Sequence, residues 1–305
     1  MIADTHIHLS RRSFENTFPY LDFDGKDFFF HANGSRAILI EKLKEAEVAF
    51  CIEPGVELES NAEILALSRQ YPGFIYPTVG IHPTRTFRYV TVDNHGRRTI
   101  KRLKLSDFPL VKKWAASPNV IAIGETGLDY HLAKEDQHRF IQTIWFIRQL
   151  LLAHRYKLPV ILHIREADND ALRILRLFRK WLHGGVCHCF NGSTAMAKAY
   201  TKLGLMLGIG GSLLQNTEHC KDLEEAIRIT PIEYILLETD GPYVNPVCPL
   251  LTGKQYRKAR NTSLILPAVA TRIAELKGMT VKDVRQITAE NAARVFHIRM
   301  EEYTK

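Results

Sequence analysis

Short apolar runs alternate with longer stretches of helical periodicity along almost the whole chain. The runs are rich in Val, Ile and Leu, which is typical of buried parallel strands. They predict strands at 2–7, 48–53, 74–80, 120–124, 159–164, 185–190, 205–210 and 234–239. The longer stretches predict helices at 35–47, 57–70, 110–116, 134–156, 167–181, 194–203, 218–229, 262–277 and 280–296.

Eight strands that each precede a helix, over about 250 residues, predict an α/β fold of the (β/α)8 TIM-barrel type. A doubly wound open sheet is the alternative, but it usually carries a Gly-rich phosphate loop after its first strand. Here histidines follow the first strand, which favours the barrel. We therefore expect residues 1–305 to form a single barrel domain.

Two segments are longer than ordinary loops and predict insertions after strands 1 and 3. Residues 11–34 are rich in aromatic side chains, and residues 84–105 are strongly basic. The aromatic segment favours a packed lid or a contact for a protein partner, because so many phenylalanines are costly to expose. The basic segment is either a solvated loop or a track for a nucleic-acid backbone, with Phe87 and Tyr89 available to stack on bases.

Composition narrows the class of protein only a little. The formal net charge is +8, which is compatible with polyanionic partners but is more often a property that favours solubility. The five cysteines lack framework spacing and favour reduced thiols, and no apolar run is long enough to span a bilayer. We therefore expect a cytoplasmic protein without a membrane partner.

Potential metal ligands recur at the carboxyl ends of the predicted strands, where barrel enzymes keep their chemistry. Scattered surface histidines would not be expected at five strand ends, so the pattern predicts a metal site. The residues concerned are His6, His8, Glu125, His163, His188 and Asp240. A lone His-x-His would be weak evidence, but the recurrence makes the combined signal strong.

Strand alternation sorts the neighbours of these residues. Arg165 shares the face of His163 and would suit a phosphate oxygen, although a salt bridge to a nearby carboxylate explains it equally well. Cys187 and Cys189 would both face away from His188 as buried, inert thiols. Glu238 shares the face of Asp240, and its role stays open.

Six motifs in order, ADTHIHL, GIHP, IGETGLDYH, LPVILHIREA, CHCFNG and LLETDGPYV, resemble the TatD family of metal-dependent deoxyribonucleases. That family belongs to the amidohydrolase-like TIM barrels, and the resemblance covers nearly the whole chain. It implies two divalent ions, with His6 and His8 holding one and His163 and His188 the other. Glu125 would bridge the ions, and Asp240 would bind the first ion and contact the attacking water.

The resemblance also implies a mechanism. The ions would activate a water for attack on phosphorus, and Asp240 would accept its proton. His82 and Arg165 would contact the phosphate, although His82 could equally cap its own loop; Asp129 and Tyr130 would support a ligand or contact the substrate. Mg²⁺ is the activating ion expected of the family, whereas imidazole ligands also suit Zn²⁺ or Mn²⁺.

The expected function is that of a deoxyribonuclease acting as a 3′–5′ exonuclease on single-stranded DNA, with DNA favoured over RNA. One alternative is an ester or amide hydrolase of the amidohydrolase type, such as a D-aminoacyl-tRNA deacylase. Another is a nuclease-fold subunit of a larger defence or quality-control complex. A barrel that only binds nucleic acid or a partner is disfavoured by the intact ligand set.

Overall fold

Parallel strands followed by helices account for most of the regular structure of this chain. The structure is a computed structural model that describes residues 1–92, 98–215, 218–246 and 259–299. Within these ranges it describes all side chains except those of 88–92, 98–102, 218 and 219. The chain divides into two units: unit 1 contains residues 1–53, 67–76 and 187–305, and unit 2 contains residues 54–66 and 77–186.

The strands are short and mostly buried. In chain order they are β1 (Ile2–Asp4), β2 (Phe18–Phe23), β3 (Phe28–Gly34), β4 (Val48–Glu53), β5 (Ile75–Pro77), β6 (Arg88–Val92), β7 (Arg98–Arg102), β8 (Ile123–Asp129), β9 (Val160–Arg165), β10 (Gly185–Cys187), β11 (Met206–Ile209) and β12 (Ile235–Leu237).

The α-helices lie between and after these strands. They are α1 (Arg36–Glu45), α2 (Leu58–Gln70), α3 (Phe108–Ala115), α4 (Asp136–Tyr156), α5 (Asp168–Leu177), α6 (Thr194–Thr201), α7 (Glu218–Ile229), α8 (Leu266–Lys277) and α9 (Val281–Phe296). Short 3-10 helices cover Arg12–Phe14, Pro83–Arg85, Leu105–Asp107, Arg179–Trp181, Gly211–Leu214, Ile232–Tyr234 and Ser263–Ile265.

Unit 1 is organised around the N-terminal strand. β1 pairs in parallel with β4, and β11 pairs in parallel with β12. The backbone N–H of Thr5 donates to the carbonyl of Leu237 at 3.0 Å, and Ile7 forms a bridge with Gly241. These contacts bring the carboxyl ends of β1 and β12 side by side, so the residues that follow both strands meet at one edge.

The helix α9 closes the outer face of this part of unit 1. Thr280 caps its first turn by accepting a hydrogen bond from the backbone N–H of Asp283, as N-terminal threonines commonly do. Asn291, buried in the helix, donates to the carbonyls of Ile232 and Ile235 at 2.8 and 3.1 Å. These bonds fix α9 to the start of β12.

Unit 2 contains the parallel pair β8 and β9, in which Gly127 aligns with His163 and Asp129 with Arg165. Val79 forms a parallel bridge with Ile123, which places the residues after β5 beside β8. Gln149 of α4 is fully buried. Its side-chain amide donates hydrogen bonds to the carbonyl of Ile81 and to the hydroxyl of Thr126, and so connects the two segments. The side of unit 2 that carries β8 is therefore held by side-chain amides as well as by apolar packing.

The predicted strands and helices are present, with shifted ends. The first strand ends at Asp4 rather than at residue 7, and β8 begins at Ile123 and extends to Asp129. The helix predicted for 167–181 ends at Leu177 and is followed by a 3-10 turn. Strand ends are hard to read where apolar residues continue beyond the last ladder bond, as they do at Ile7.

Both insertions contain β-hairpins, where the sequence predicts only loops. β2 and β3 pair antiparallel, and Asp24 accepts hydrogen bonds from the backbone N–H groups of Lys26 and Asp27 in the turn between them. β6 and β7 also pair antiparallel, with Val92 opposite Arg98. The tip of this second hairpin, residues 93–97, lies outside the described residues. In the first hairpin Phe18, Tyr20 and Leu21 are buried and Phe30 is exposed.

No helix within the described residues has the length and hydropathy that a membrane-spanning segment needs.

Candidate metal centre

Asp240 lies opposite two imidazoles in unit 1. Its Oδ1 atom is 3.6 Å from Nε2 of His6 and 3.3 Å from Nε2 of His8. Both histidines are buried, and Asp240 is largely buried. The backbone fixes this arrangement, because the N–H of Asp240 donates to the carbonyl of His6 at 2.8 Å and the N–H of His8 donates to Gly241. The segments after β1 and β12 thus place these three side chains together.

The surroundings keep Asp240 ionised. Burial acts to raise the pKa of this carboxyl group, but a hydrogen bond from His8 and the nearby rings of His6 and His188 lower it. The net effect is a pKa below the usual range for aspartate. Asp240 is therefore a carboxylate at neutral pH, able to bind a cation or to accept a proton.

His188 joins this group from the segment after β10. Its ring stacks on that of His6, with 3.8 Å between centroids and 14° between planes. Its Nδ1 atom is 3.6 Å from Oε1 of Glu238, a buried carboxylate for which the sequence left the role open. Glu238 lies against Gly208, where a Cβ atom would come within 2.0 Å of Oε2, so only glycine leaves room for the carboxylate.

Strand alternation predicts that both cysteines next to His188 are buried, and the prediction is correct for one of them. Cys187 is buried in β10, as predicted. Cys189 is half-buried, and its backbone N–H donates to Glu238. The strand ends at Cys187, and Cys189 has a positive φ of 48°, so strand alternation no longer applies to it.

Asp4 supports the same group and was not singled out by sequence reasoning. This fully buried carboxylate accepts hydrogen bonds from the hydroxyls of Thr239 and Ser263 at 2.6 and 2.7 Å. The backbone N–H groups of His6 and Thr239 also donate to it, each at 3.1 Å. Burial raises the pKa of Asp4 to about 6, although these hydrogen bonds oppose the shift. Asp4 thereby fixes the residues immediately before Asp240 relative to His6.

Unit 2 contains a second group, centred on Glu125 of β8. Oε1 of Glu125 is 3.2 Å from Nδ1 of His163 and 3.4 Å from Nε2 of His82. Glu125 is buried, and its backbone N–H donates to the carbonyl of Gly55 at 2.6 Å. The structure therefore brings together three of the predicted residues from separate segments of this unit.

Of the two roles that the sequence leaves open for His82, the structure shows the loop-capping one. It precedes the 3-10 turn at Pro83, and its Nδ1 atom lies 2.7 Å from the hydroxyl of Thr84 and accepts from the backbone N–H of Thr84. That arrangement caps the turn and directs Nε2 toward Glu125. Contact of His82 with a phosphate stays a prediction.

Asp129 lies on the other side of the His163 ring. Its Oδ2 atom is 3.2 Å from Nε2 of His163, which pairs each ring nitrogen with a carboxylate. Burial acts to raise the pKa of Asp129, but the hydrogen bond with His163 and the one from the backbone N–H of Leu132 lower it overall. A carboxylate in this position fixes the ring orientation of a metal-binding histidine.

Tyr130 and Arg165 lie at the carboxyl ends of β8 and β9. The Tyr130 hydroxyl donates to Asp170 at 2.8 Å, and the Arg139 guanidinium lies 4.6 Å from the ring centroid. Burial and the hydrogen bond to the Asp170 carboxylate together raise the pKa of Tyr130 to about 12. Arg165 is exposed at the strand end. Substrate binding by Asp129, Tyr130 and Arg165 stays a prediction.

The basic segment is described only in part. Arg85 forms an ion pair with Glu57 at 3.4 Å, and the ring of Phe87 stacks on that of His138 at 4.3 Å. The remaining arginines of the segment, Lys101 and the proposed stacking residue Tyr89 lie outside the described side chains. Its use as a nucleic-acid track therefore stays a prediction.

Both groups have the chemistry and spacing of metal ligands. Two donor atoms bound to one ion at about 2.0–2.1 Å lie roughly 3–3.4 Å apart, and the nitrogen–oxygen distances around Asp240 and Glu125 are 3.2–3.6 Å. Donor atoms of His82, Glu125 and His163 lie within 4.8 Å of one another, as do those of His6, His188 and Glu238. Mixed imidazole and carboxylate donors suit Mn²⁺ or Zn²⁺ and, through the carboxylates, Mg²⁺. The sequence predicts that two ions share Glu125 and that His163 and His188 bind the same ion. Both arrangements join residues of different units, and both stay predictions.

Comparisons with known proteins agree with this chemistry. The family described as TatD related DNase matches residues 3–297. YabD of Bacillus subtilis (strain 168), an uncharacterized metal-dependent hydrolase, is 30% identical over 98% of this chain and 100% of its own length. The 3′-5′ ssDNA/RNA exonuclease TatD of Erwinia tasmaniensis is 30% identical over 85% of this chain and 93% of its own.

A solved structure confirms the fold class. The crystal structure of YjjV, a TatD homolog from Escherichia coli K12, matches with a TM-score of 0.76 over 98% of each chain, at 24% identity. The predicted α/β barrel class is thus confirmed, with its extra segments after the first and third barrel strands formed by the hairpins β2–β3 and β6–β7.

Proposed function

The chain belongs to the TatD family of metal-dependent hydrolases, and from this premise we propose that it cleaves phosphodiester bonds of single-stranded nucleic acid. We further propose that it works as a 3′–5′ exonuclease with DNA favoured over RNA. Support comes from a relative that is named a 3′-5′ ssDNA/RNA exonuclease. The family match over residues 3–297 also supports the proposal that the whole chain acts as one hydrolase domain.

One observation carries the proposal. Each unit places a buried or largely buried carboxylate within 3.6 Å of two imidazole nitrogens, at Asp240 in unit 1 and at Glu125 in unit 2. We assign one divalent ion to His6, His8 and Asp240, and another to Glu125 and His163. When bound, two divalent ions neutralise the non-bridging phosphate oxygens and lower the pKa of water.

Side chains of the protein perform the proton transfer and the positioning. Asp240, ionised because His8 and His6 lower its pKa, accepts the proton of the water that attacks phosphorus. Asp129 holds the His163 ring in the orientation that presents Nδ1 beside Glu125. The bond between phosphorus and the leaving oxygen breaks, and that oxygen takes a proton from solvent. Arg165 and His82 are proposed to contact the phosphate.

The segments 11–34 and 84–105 are the places proposed for further contacts. Hairpin β2–β3 presents Phe30 at the surface and is proposed as the contact for a protein partner. The basic hairpin β6–β7 is proposed to follow the nucleic-acid backbone. Neither contact is needed for the hydrolytic step.

Metal-stripped protein should cleave a 5′-labelled single-stranded DNA only after a divalent ion is returned. Mg²⁺, Mn²⁺ and Zn²⁺ would be added separately, with RNA of the same sequence, duplex DNA and an aminoacyl-tRNA as parallel substrates. We expect products that shorten stepwise from the 3′ end, with DNA cleaved faster than RNA. Release of the amino acid from the aminoacyl-tRNA, with every phosphodiester left intact, would contradict the proposal and favour an ester hydrolase.

A further inference from the structure

A cavity of about 430 Å³ lies in unit 1 beside the group around Asp240. Its lining includes Ser13, Gln215, Tyr243, Asn245 and Arg260. The backbone N–H of Tyr243 donates to the carbonyl of Asp240 at 2.9 Å, and its ring meets the ring of His8 edge-on at 6.0 Å between centroids. The cavity therefore adjoins the proposed reaction centre. Its volume lies within the range of about 300–1,000 Å³ that is usual for ligand pockets.

The wall of the cavity that carries Tyr243 is held by a buried amide. Asn261 is fully buried, and its Nδ2 atom donates to the carbonyls of Tyr243 and Val244 at 2.8 and 3.1 Å. The same amide donates to the carbonyl of Thr239, next to Asp240. The position of Tyr243 is therefore fixed relative to Asp240 by the same side chain.

A second set of amide contacts holds the rest of the wall. The side chain of Gln215 donates to the carbonyl of Asn245 at 3.0 Å, and the side chain of Asn245 donates to the carbonyl of Ala259 at 3.0 Å. Such cross-links form the cavity in advance, so binding does not need to order its walls.

The chemistry of the lining matches one class of ligand. The Tyr243 side chain is 49% exposed, so part of its ring is open to a stacking partner. Among the described lining residues Arg260 carries the positive charge, and its Nε atom donates to the carbonyl of Ser13 at 3.4 Å, which orients the guanidinium. An aromatic face, a guanidinium and side-chain amides are the groups that bind an unpaired base and its phosphate.

We propose that this cavity binds one nucleotide of the single-stranded substrate, next to the bond that is cleaved. Its base stacks on Tyr243, and Arg260 pairs with its phosphate. This inference rests on the proposed function and adds a positioning site to it. Stacking on an aromatic ring requires an unpaired base and tolerates any sequence, so the site selects single strands without a base preference.

The test compares Tyr243→Ala and Tyr243→Phe on two substrates and in one binding assay. The substrates are a thymidine oligonucleotide and an abasic oligonucleotide of the same length, which has the same phosphodiester backbone but no aromatic ring to place in the cavity. Binding of a fluorescent thymidine oligonucleotide to metal-stripped protein is followed by anisotropy. The exposed aromatic residue Phe140 of α4 supplies the matched control, Phe140→Ala, which should behave as the unmodified chain does.

Loss of one stacked base should weaken binding roughly tenfold. We expect Tyr243→Ala to raise KM and Kd for the thymidine oligonucleotide by that factor with a much smaller change in kcat, and to lower hydrolysis of the abasic oligonucleotide far less. Tyr243→Phe should restore binding, because the stacking face is kept. Equal losses on both substrates, failure of Phe to rescue, or unchanged oligonucleotide binding would overturn the subsite. If the unmodified chain cleaves neither substrate, the proposed function fails, and the anisotropy measurement still decides whether the cavity binds the strand.

Discussion

Replacing Asp240 by asparagine should lower kcat for single-stranded DNA by about 10²- to 10⁴-fold, the usual contribution of a general base. The amide has nearly the same shape as the carboxylate but cannot accept the proton of the attacking water. It also removes the negative charge that lies 3.3 Å from Nε2 of His8 and 3.6 Å from Nε2 of His6. The measurement is steady-state kinetics at saturating metal, so that a weaker affinity for the ion does not limit the rate.

The matched control is Asp136→Asn, which makes the same chemical change on a fully exposed side chain at the start of α4. It should leave kcat within about twofold. If Asp240→Asn retains more than a tenth of the activity while its circular dichroism spectrum is unchanged, another group must accept the proton. His8 would then be the first residue to examine.

Replacing Asp4 by alanine should destabilise the protein by about 3–5 kcal/mol, because a buried donor left without an acceptor costs about 1–3 kcal/mol and several donors lose theirs. Four donors converge on this fully buried carboxylate, from the hydroxyls of Thr239 and Ser263 and the backbone of His6 and Thr239. Alanine would leave them without an acceptor in a place that water does not reach. The free energy of unfolding is measured by urea denaturation of metal-stripped protein, so that metal binding does not contribute.

Asp4→Asn distinguishes this network from a simple loss of volume. The amide oxygen can still accept from the two backbone N–H groups, and the two hydroxyls can rotate to accept from the amide nitrogen. We expect asparagine to cost less than half as much as alanine. Equal destabilisation by both substitutions would mean that the charge of Asp4, rather than its hydrogen bonds, supports unit 1.

The sequence predicted the potential ligands because their signal is local. A histidine or carboxylate at the end of an apolar run can be recognised without knowing what packs beside it, as for His6, Glu125 and Asp240. The structure then placed Asp240 opposite both histidines of the first motif. The TatD resemblance rested on the same short motifs, and the family match supports it.

The supporting residues were missed because their partners are distant in sequence. Asp4 contacts Thr239 and Ser263, more than 230 positions away, and nothing near Asp4 in the chain indicates those contacts. The role of Glu238 could not be predicted, because the position of its carboxylate depends on the absence of a side chain at Gly208. The prediction that Cys189 is buried was wrong because it assumed that β10 continues past Cys187.

The two hairpins show a different limit of sequence reasoning. Residues 28–30 are three consecutive phenylalanines, so the polar alternation that reveals a half-buried strand is absent from the start of β3. The second hairpin was missed because residues 84–105 were interpreted as one basic loop, and that composition does not indicate a pairing in which Val92 lies opposite Arg98. In both cases the antiparallel partner, rather than the local pattern, defines the strand.

Metal content measured after equilibrium dialysis against Mn²⁺ tests most directly whether two ions are held by the two groups. The unmodified chain should retain about two ions, whereas His8→Ala in unit 1 and His163→Ala in unit 2 should each retain about one. A folded chain that binds no Mn²⁺, or two variants that both keep the full complement, would contradict the assignment of these side chains as ligands.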